Sequence, residues 1–117
     1  MSYKNDVVLV LTKDGSERFK FEISCISNSE TKKEVSKLIY NPSQFIITGI
    51  CECYIWNNVN WNIQKDSISW IMDIIQVINS NDILFIRTGE EWFDFEIIGE
   101  YYNNPFNIRL DRNIITN

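Results

Sequence analysis

Three carboxylates come closest to forming a reactive set: Glu52, Asp94 and Glu96. Residues two apart on a strand share a face at a spacing of ~6.8 Å. Asp94 and Glu96 could therefore share a divalent cation, or divide acid and base roles between them. The chain has no histidine, which removes the commonest base near neutral pH, the usual serine and cysteine triads, and most zinc sites. No lysine stands beside the carboxylates to act as a base, so a solvated acidic strand face that discourages edge pairing is the simpler reading. Cys51 and Cys53 would lie on one strand face, but two ligands of one type make no metal site. With Cys25 they read as small buried hydrophobes. Gly15, Gly49, Gly89 and Gly99 are isolated, so no glycine-rich phosphate loop exists. These residues predict a protein that is not an enzyme, with no cofactor, no metal and no small-molecule ligand.

The stretch with the most pronounced character is Gly89 to Tyr102, GEEWFDFEIIGEYY. Between residues 90 and 100 it carries Glu90, Glu91, Asp94, Glu96 and Glu100 without a Lys or Arg. As a strand it would turn Phe93, Phe95 and Ile97 to a buried face. Trp92, Asp94, Glu96 and Ile98 would share the other. Gln44 to Trp56 reads as a long extended segment with a bend at Gly49. Cys51, Cys53 and Ile55 face one way there, and Glu52, Tyr54 and Trp56 the other. Tryptophan and tyrosine dominate interface hot spots. Glu52, Tyr54, Trp56, Glu90, Glu91, Trp92, Asp94 and Glu96 are therefore the predicted partner-binding residues, unless loops or a helix cover the aromatics.

The elements that would position them follow from periodicity. Val7 to Thr12 is a continuous apolar, largely β-branched run, fit for a strand buried on both faces. Asp14-Gly15 signals a hairpin, and Phe19, Phe21, Ile23 and Cys25 alternate with polar residues as in a second strand. Thr31 and Glu34 fit a capping box before the helical stripe Val35, Leu38, Ile39, which Pro42 ends. Asn60 to Lys65 reads as a strand bearing Trp61 and Ile63. Ile68 to Ile78, opened by Asp66 or Ser67, is apolar nearly all round and predicts a buried helix with Trp70 in the core. Ile83 to Arg87 and Phe106 to Thr116 complete the set as strands. The order predicts one α+β domain over residues 1–117. Its mainly antiparallel sheet of about six or seven strands would carry two helices on one face, leaving the other face open for the aromatic and acidic residues.

Bulk properties agree with a protein of this kind. At 117 residues with 44% hydrophobic content, the chain is long enough to bury a core without disulfide staples. Its net charge of −5 is unevenly spread. Residues 1–40 hold seven basic and six acidic side chains, whereas residues 41–117 hold four and ten. Such a surface repels a nucleic-acid backbone and steers a basic partner. Three cysteines in apolar company suit a reducing cytoplasm. The apolar run Val7 to Leu11 is too short for a signal peptide core, and no run approaches a membrane span.

In size, acidity, cytosolic character and the Ile/Asn/Phe/Tyr-rich composition of an AT-rich coding sequence, the whole chain resembles the small acidic immunity proteins of bacteria. These neutralise cognate toxins such as those of contact-dependent growth inhibition systems. The resemblance implies a complex with a basic toxin domain, often a nuclease, whose active site or substrate groove is covered. Two other readings use the same surface: a nucleic-acid mimic that inhibits a host nuclease, and a chaperone for a secreted effector.

Overall fold

The computed structural model describes residues 4–111 and 113–115, those from 109 on as backbone. Five strands form one antiparallel sheet: β1 (Asn5–Leu11), β2 (Gln44–Thr48), β3 (Cys51–Val59), β4 (Ile83–Thr88) and β5 (Phe95–Gly99), in the order β2-β3-β1-β4-β5. Three helices, α1 (Lys13–Ser24), α2 (Ser29–Ile39) and α3 (Asp66–Val77), connect them. Up to β4 this is the connectivity of a split β-α-β, ferredoxin-like sandwich, with two helices in the first crossover. β5 adds a fifth strand beside β4. A separate ribbon, β6 (Arg109–Asp111) and β7 (Asn113–Ile115), follows. The α+β class and the antiparallel sheet with its helices on one face are as expected. The main sheet has five strands instead of six or seven, and there are three helices instead of two.

The extra helix is α1, over the segment that alternates like a strand. Thr12 caps it, its hydroxyl accepting from the Gly15 amide at 3.1 Å. Gly15 is not a turn residue. A Cβ there would sit 2.4 Å from the carbonyl oxygen of Asp82, so the glycine lets the helix start close to the chain leading into β4. Phe19 and Ile23 fit both a period of two and the i, i+4 step of a helix. The helix buries Phe19, half-buries Ile23 and leaves Phe21 and Cys25 exposed. In α2 the cap is Asn28, which accepts from the Thr31 amide, while Thr31 itself lies buried inside the helix.

The core between helices and sheet joins Phe19, Val35, Ile39, Ile68, Ile71 and Ile75 to Val7, Leu9, Leu11, Tyr54, Trp56 and Phe85. β1 is buried on both faces, as its sequence predicts. In α3, Ile68, Ile71, Met72, Ile74 and Ile75 are buried. Trp70 and Val77 point away from the sheet, so Trp70 is not a core residue. Asn60 to Lys65 forms no strand. Trp61 is instead locked in a loop, its amide donating to the buried Asn5 side chain at 3.0 Å and its ring N–H meeting the Met72 sulfur at 3.4 Å. Ile63 is exposed.

The sheet face away from the helices is covered over β1, β3 and β4, not open. Phe106 and Ile108 pack on Val8, Val10, Cys53, Ile55, Leu84 and Ile86. The buried Asn104 shapes this cover. Its amide nitrogen donates to the carbonyls of Tyr101 and Tyr102, and its oxygen accepts from the amides of Phe106 and Ile108. Phe106 itself lies in a turn, and a strand first forms at Arg109. The faces expected for Arg109, Leu110 and Asp111 lie outside the described side chains.

Candidate protein-docking surface

The predicted partner-binding residues divide between two corners of the sheet. Tyr54 and Trp56 lie on the helix side of β3 and are buried, so neither is available to a partner of the folded chain. Tyr54 stacks on Trp56 at 5.8 Å and 7°, and the Trp56 ring N–H donates to the Leu38 carbonyl at 3.1 Å. Glu52 is taken up by α1. It accepts from the hydroxyls of Ser16 and Tyr54 and pairs with Lys20 at 3.0 Å. Burial first, and then the charge of Glu52, raises the Tyr54 pKa above the usual phenol value. The buried Cys53 thiol on the opposite face is pushed up to about 12 by desolvation. The alternation in β3 is therefore as expected, but the face expected to be open is the core.

Asp94 and Glu96 stand three strand positions away from Glu52, roughly 14 Å at the usual strand spacing. They also lie toward the other end of the sheet, since Glu96 aligns with Arg87 and Val7 whereas Glu52 aligns with Leu11. The three carboxylates thus form no common site. Among the described residues, no group of three or more His, Cys, Asp or Glu side chains could hold a metal ion.

Arg87 organises the corner at β5. Its Nη2 meets Asp94 at 3.1 Å and its Nε meets Glu96 at 3.5 Å, with all three side chains partly shielded. Two backbone hydrogen bonds tighten the turn between β4 and β5, Gly89 N–H to Asp94 O at 2.7 Å and Asp94 N–H to Glu91 O at 2.9 Å. Register then decides the faces. Ile98 pairs with Phe85 and joins the helix-side core, so Phe95 and Ile97 point to the other face. The expected alternation holds, with burial reversed. Phe95 and Ile97 are 50% and 40% exposed, and Trp92 and Phe93 at the turn are 77% and 63% exposed. Trp92 and Phe93 meet edge to face at 5.8 Å and 84°. Glu90 and Glu91 are exposed beside them; Glu90 accepts from the Lys4 backbone amide at 3.3 Å, and no Lys or Arg side chain pairs with either among the described residues.

The surface that results is a hydrogen-bonded turn carrying Glu90, Glu91, Trp92 and Phe93, continued by Phe95 and Ile97 along a strand edge that is unpaired among the described residues. Sequence reading missed Phe93, Phe95 and Ile97 as surface residues and counted Asp94 and Glu96 as free acids. The available signal was Arg87, the sole basic residue between Lys65 and Arg109. Opposite an acidic strand across a short turn, it calls for a cross-strand ion pair.

An open groove of about 440 Å³ lies elsewhere, between α2, α3 and the loop after β3. Its lining includes Leu38, Val59, Trp61 and Ile68 together with Lys37 and Lys65. Among the described residues, no helix is long and apolar enough to cross a membrane. No protein family, curated protein or solved structure matches the chain.

Proposed function

We propose that this chain works by binding another protein along the β4–β5 turn and the β5 edge. The partner would be a basic antibacterial toxin domain, which the chain neutralises by covering its active site or substrate groove. The observation that carries this reading is the exposure of Trp92, Phe93, Phe95 and Ile97 on a braced turn beside two uncompensated carboxylates. Singly exposed apolar residues are ordinary, whereas four together on one edge mark an interaction surface. Glu90 and Glu91 would speed encounter with a basic surface, and the aromatics, once buried, would slow dissociation. The free edge of β5 can also accept a strand from the partner. Because Arg87 already compensates Asp94 and Glu96, aromatic burial contributes more to this contact than the count of acidic residues implies.

A growth assay tests the proposal. The C-terminal portion of the protein encoded immediately upstream is expressed in a naive bacterium, with and without this chain. The proposal expects arrest by the fragment alone and recovery with this chain. Arrest that this chain does not relieve, or a harmless fragment, removes that neighbour as the target.

A further inference from the structure

The sheet has a second free edge, β2, and its chemistry is the opposite of that of β5. Leu38 to Cys51 is the longest stretch of the chain without a charged residue, fourteen positions. Within it Tyr40, Phe45, Ile47 and Ile50 are all exposed, Tyr40 at 76%. Edge strands are commonly blunted by lysine, proline or a bulge. β2 has none of these, and its register with β3 is unbroken from Gln44–Ile55 to Thr48–Cys51. The hairpin closes tightly. Gly49 has φ +63° and Ile50 does not share the positive φ, the pattern of a type II′ turn, so the ladder runs without a bulge up to the Thr48–Cys51 pair.

We infer that β2 pairs with β2 of a second copy of this chain, antiparallel about a two-fold axis through Ile46. Three observations select a second copy as the occupant. Two copies of a chain carrying −5 can meet closely only where the contact is free of like charge, and this edge is the uncharged one. The same pairing of β5 about Ile97 would set Asp94 opposite Glu100 of the partner subunit, acid against acid. A five-residue strand also pairs with itself about its middle residue. Gln44 then lies opposite Thr48 of the partner subunit, and Phe45 opposite Ile47 of the partner subunit, the closed, self-complementary geometry of a two-fold dimer. The exposed area approaches that of a stable interface. Tyr40, Phe45, Ile47 and Ile50 still expose on the order of 500 Å² per copy, given ~200 Å² for a large side chain, and the main chain with Pro42, Gln44 and Thr48 adds to it, against about 800 Å² per partner for a stable interface. A mostly apolar recess of about 290 Å³ beside Tyr40, Pro42, Phe45 and Ile47, whose only charges are the mutually paired Lys20 and Glu52, gives side chains of the second copy room on the helix side. The dimer doubles the sheet and leaves a β5 edge free at each outer end.

Light scattering and sedimentation equilibrium of the full chain, from low to high micromolar concentration, test the inference. The mass is expected to rise to twice 13.9 kDa. Ile47→Lys should hold it at the monomer value throughout, with unchanged circular dichroism, and Trp92→Ala should leave dimerisation intact. Should Ile47→Lys lose its native circular dichroism, the exposed Thr48→Lys gives the same reading. A wild-type mass fixed at 13.9 kDa over the whole range overturns the inference. So does a folded lysine variant that dimerises as the wild type does, or a dimer that only Trp92→Ala dissociates.

Discussion

Trp56→Ala separates a core tryptophan from a docking tryptophan. The Trp56 ring is 1% exposed, stacks on Tyr54, tilts against Trp61 at 5.5 Å and donates to the Leu38 carbonyl at the end of α2. Truncating a buried tryptophan costs about 3–5 kcal/mol through lost transfer energy and the cavity left behind. Losing the ring N–H donor to the Leu38 carbonyl, which keeps only the longer bond from the Asn41 amide and the cap, adds about 1 kcal/mol. With total stability of about 5–15 kcal/mol for a domain of this kind, the variant should be close to unfolding. Urea denaturation followed by far-UV circular dichroism reads the loss. At an m-value of about 2 kcal/mol/M the midpoint should fall by about 2–3 M. Trp56→Phe, which keeps a ring but no N–H, should lose less than half as much. A Trp56→Ala midpoint within experimental error of wild type would refute the placement of β3 with Tyr54 and Trp56 against the helices.

Trp92→Ala should behave in the reverse way, with stability unchanged within about 0.5 kcal/mol and partner affinity reduced at least about thirtyfold, the signature of a hot spot, as measured by calorimetry or biolayer interferometry. Arg87→Met frees Asp94 and Glu96 and loosens the turn. Stability should fall by about 1 kcal/mol, and affinity for a basic partner should fall too, although the chain has become more acidic; a tighter complex would mean that charge outweighs positioning. Gly99→Ala should destabilise strongly in thermal melts, because φ is +93° and the new Cβ would stand 2.1 Å from the Ile83 carbonyl oxygen. Among the thiols, Cys25 should react fast with a disulfide reagent in the native state and Cys53 only on unfolding. Because the Cys53 pKa is raised from 9.0 to about 12 on folding, its contribution to stability is complete below pH 9 and is lost as pH rises through about 12; Cys53→Val should flatten that decline in urea midpoints.

Local patterns made β1, α2, α3 and β4 legible, because each has one period and a clear stop. α1 was not, since Phe19 and Ile23 satisfy both periods and Asp14-Gly15 mimics a hairpin; only its approach to Asp82, far along the chain, reveals the need for glycine. Alternation in β3 and β5 was legible, but the choice of buried face was not. That choice depends on register against β1 and β4, and a sequence does not carry strand order. The candidate surface was legible to the same degree. Glu90, Glu91 and Trp92 are exposed as expected, and Asp94 and Glu96 lie beside them but are held by Arg87. Glu52, Tyr54 and Trp56 belong to a different corner.

The most direct test of the candidate docking surface is the affinity of whichever toxin domain the growth assay identifies, compared between wild type and the double variant Trp92→Ala/Phe95→Ala, with Ile47→Lys as the control at the opposite edge. Binding by the β5 double variant should be at least about a hundredfold weaker, with its fold intact, and the Ile47→Lys control should bind as wild type does. Equal affinity of the β5 variant and wild type would contradict it.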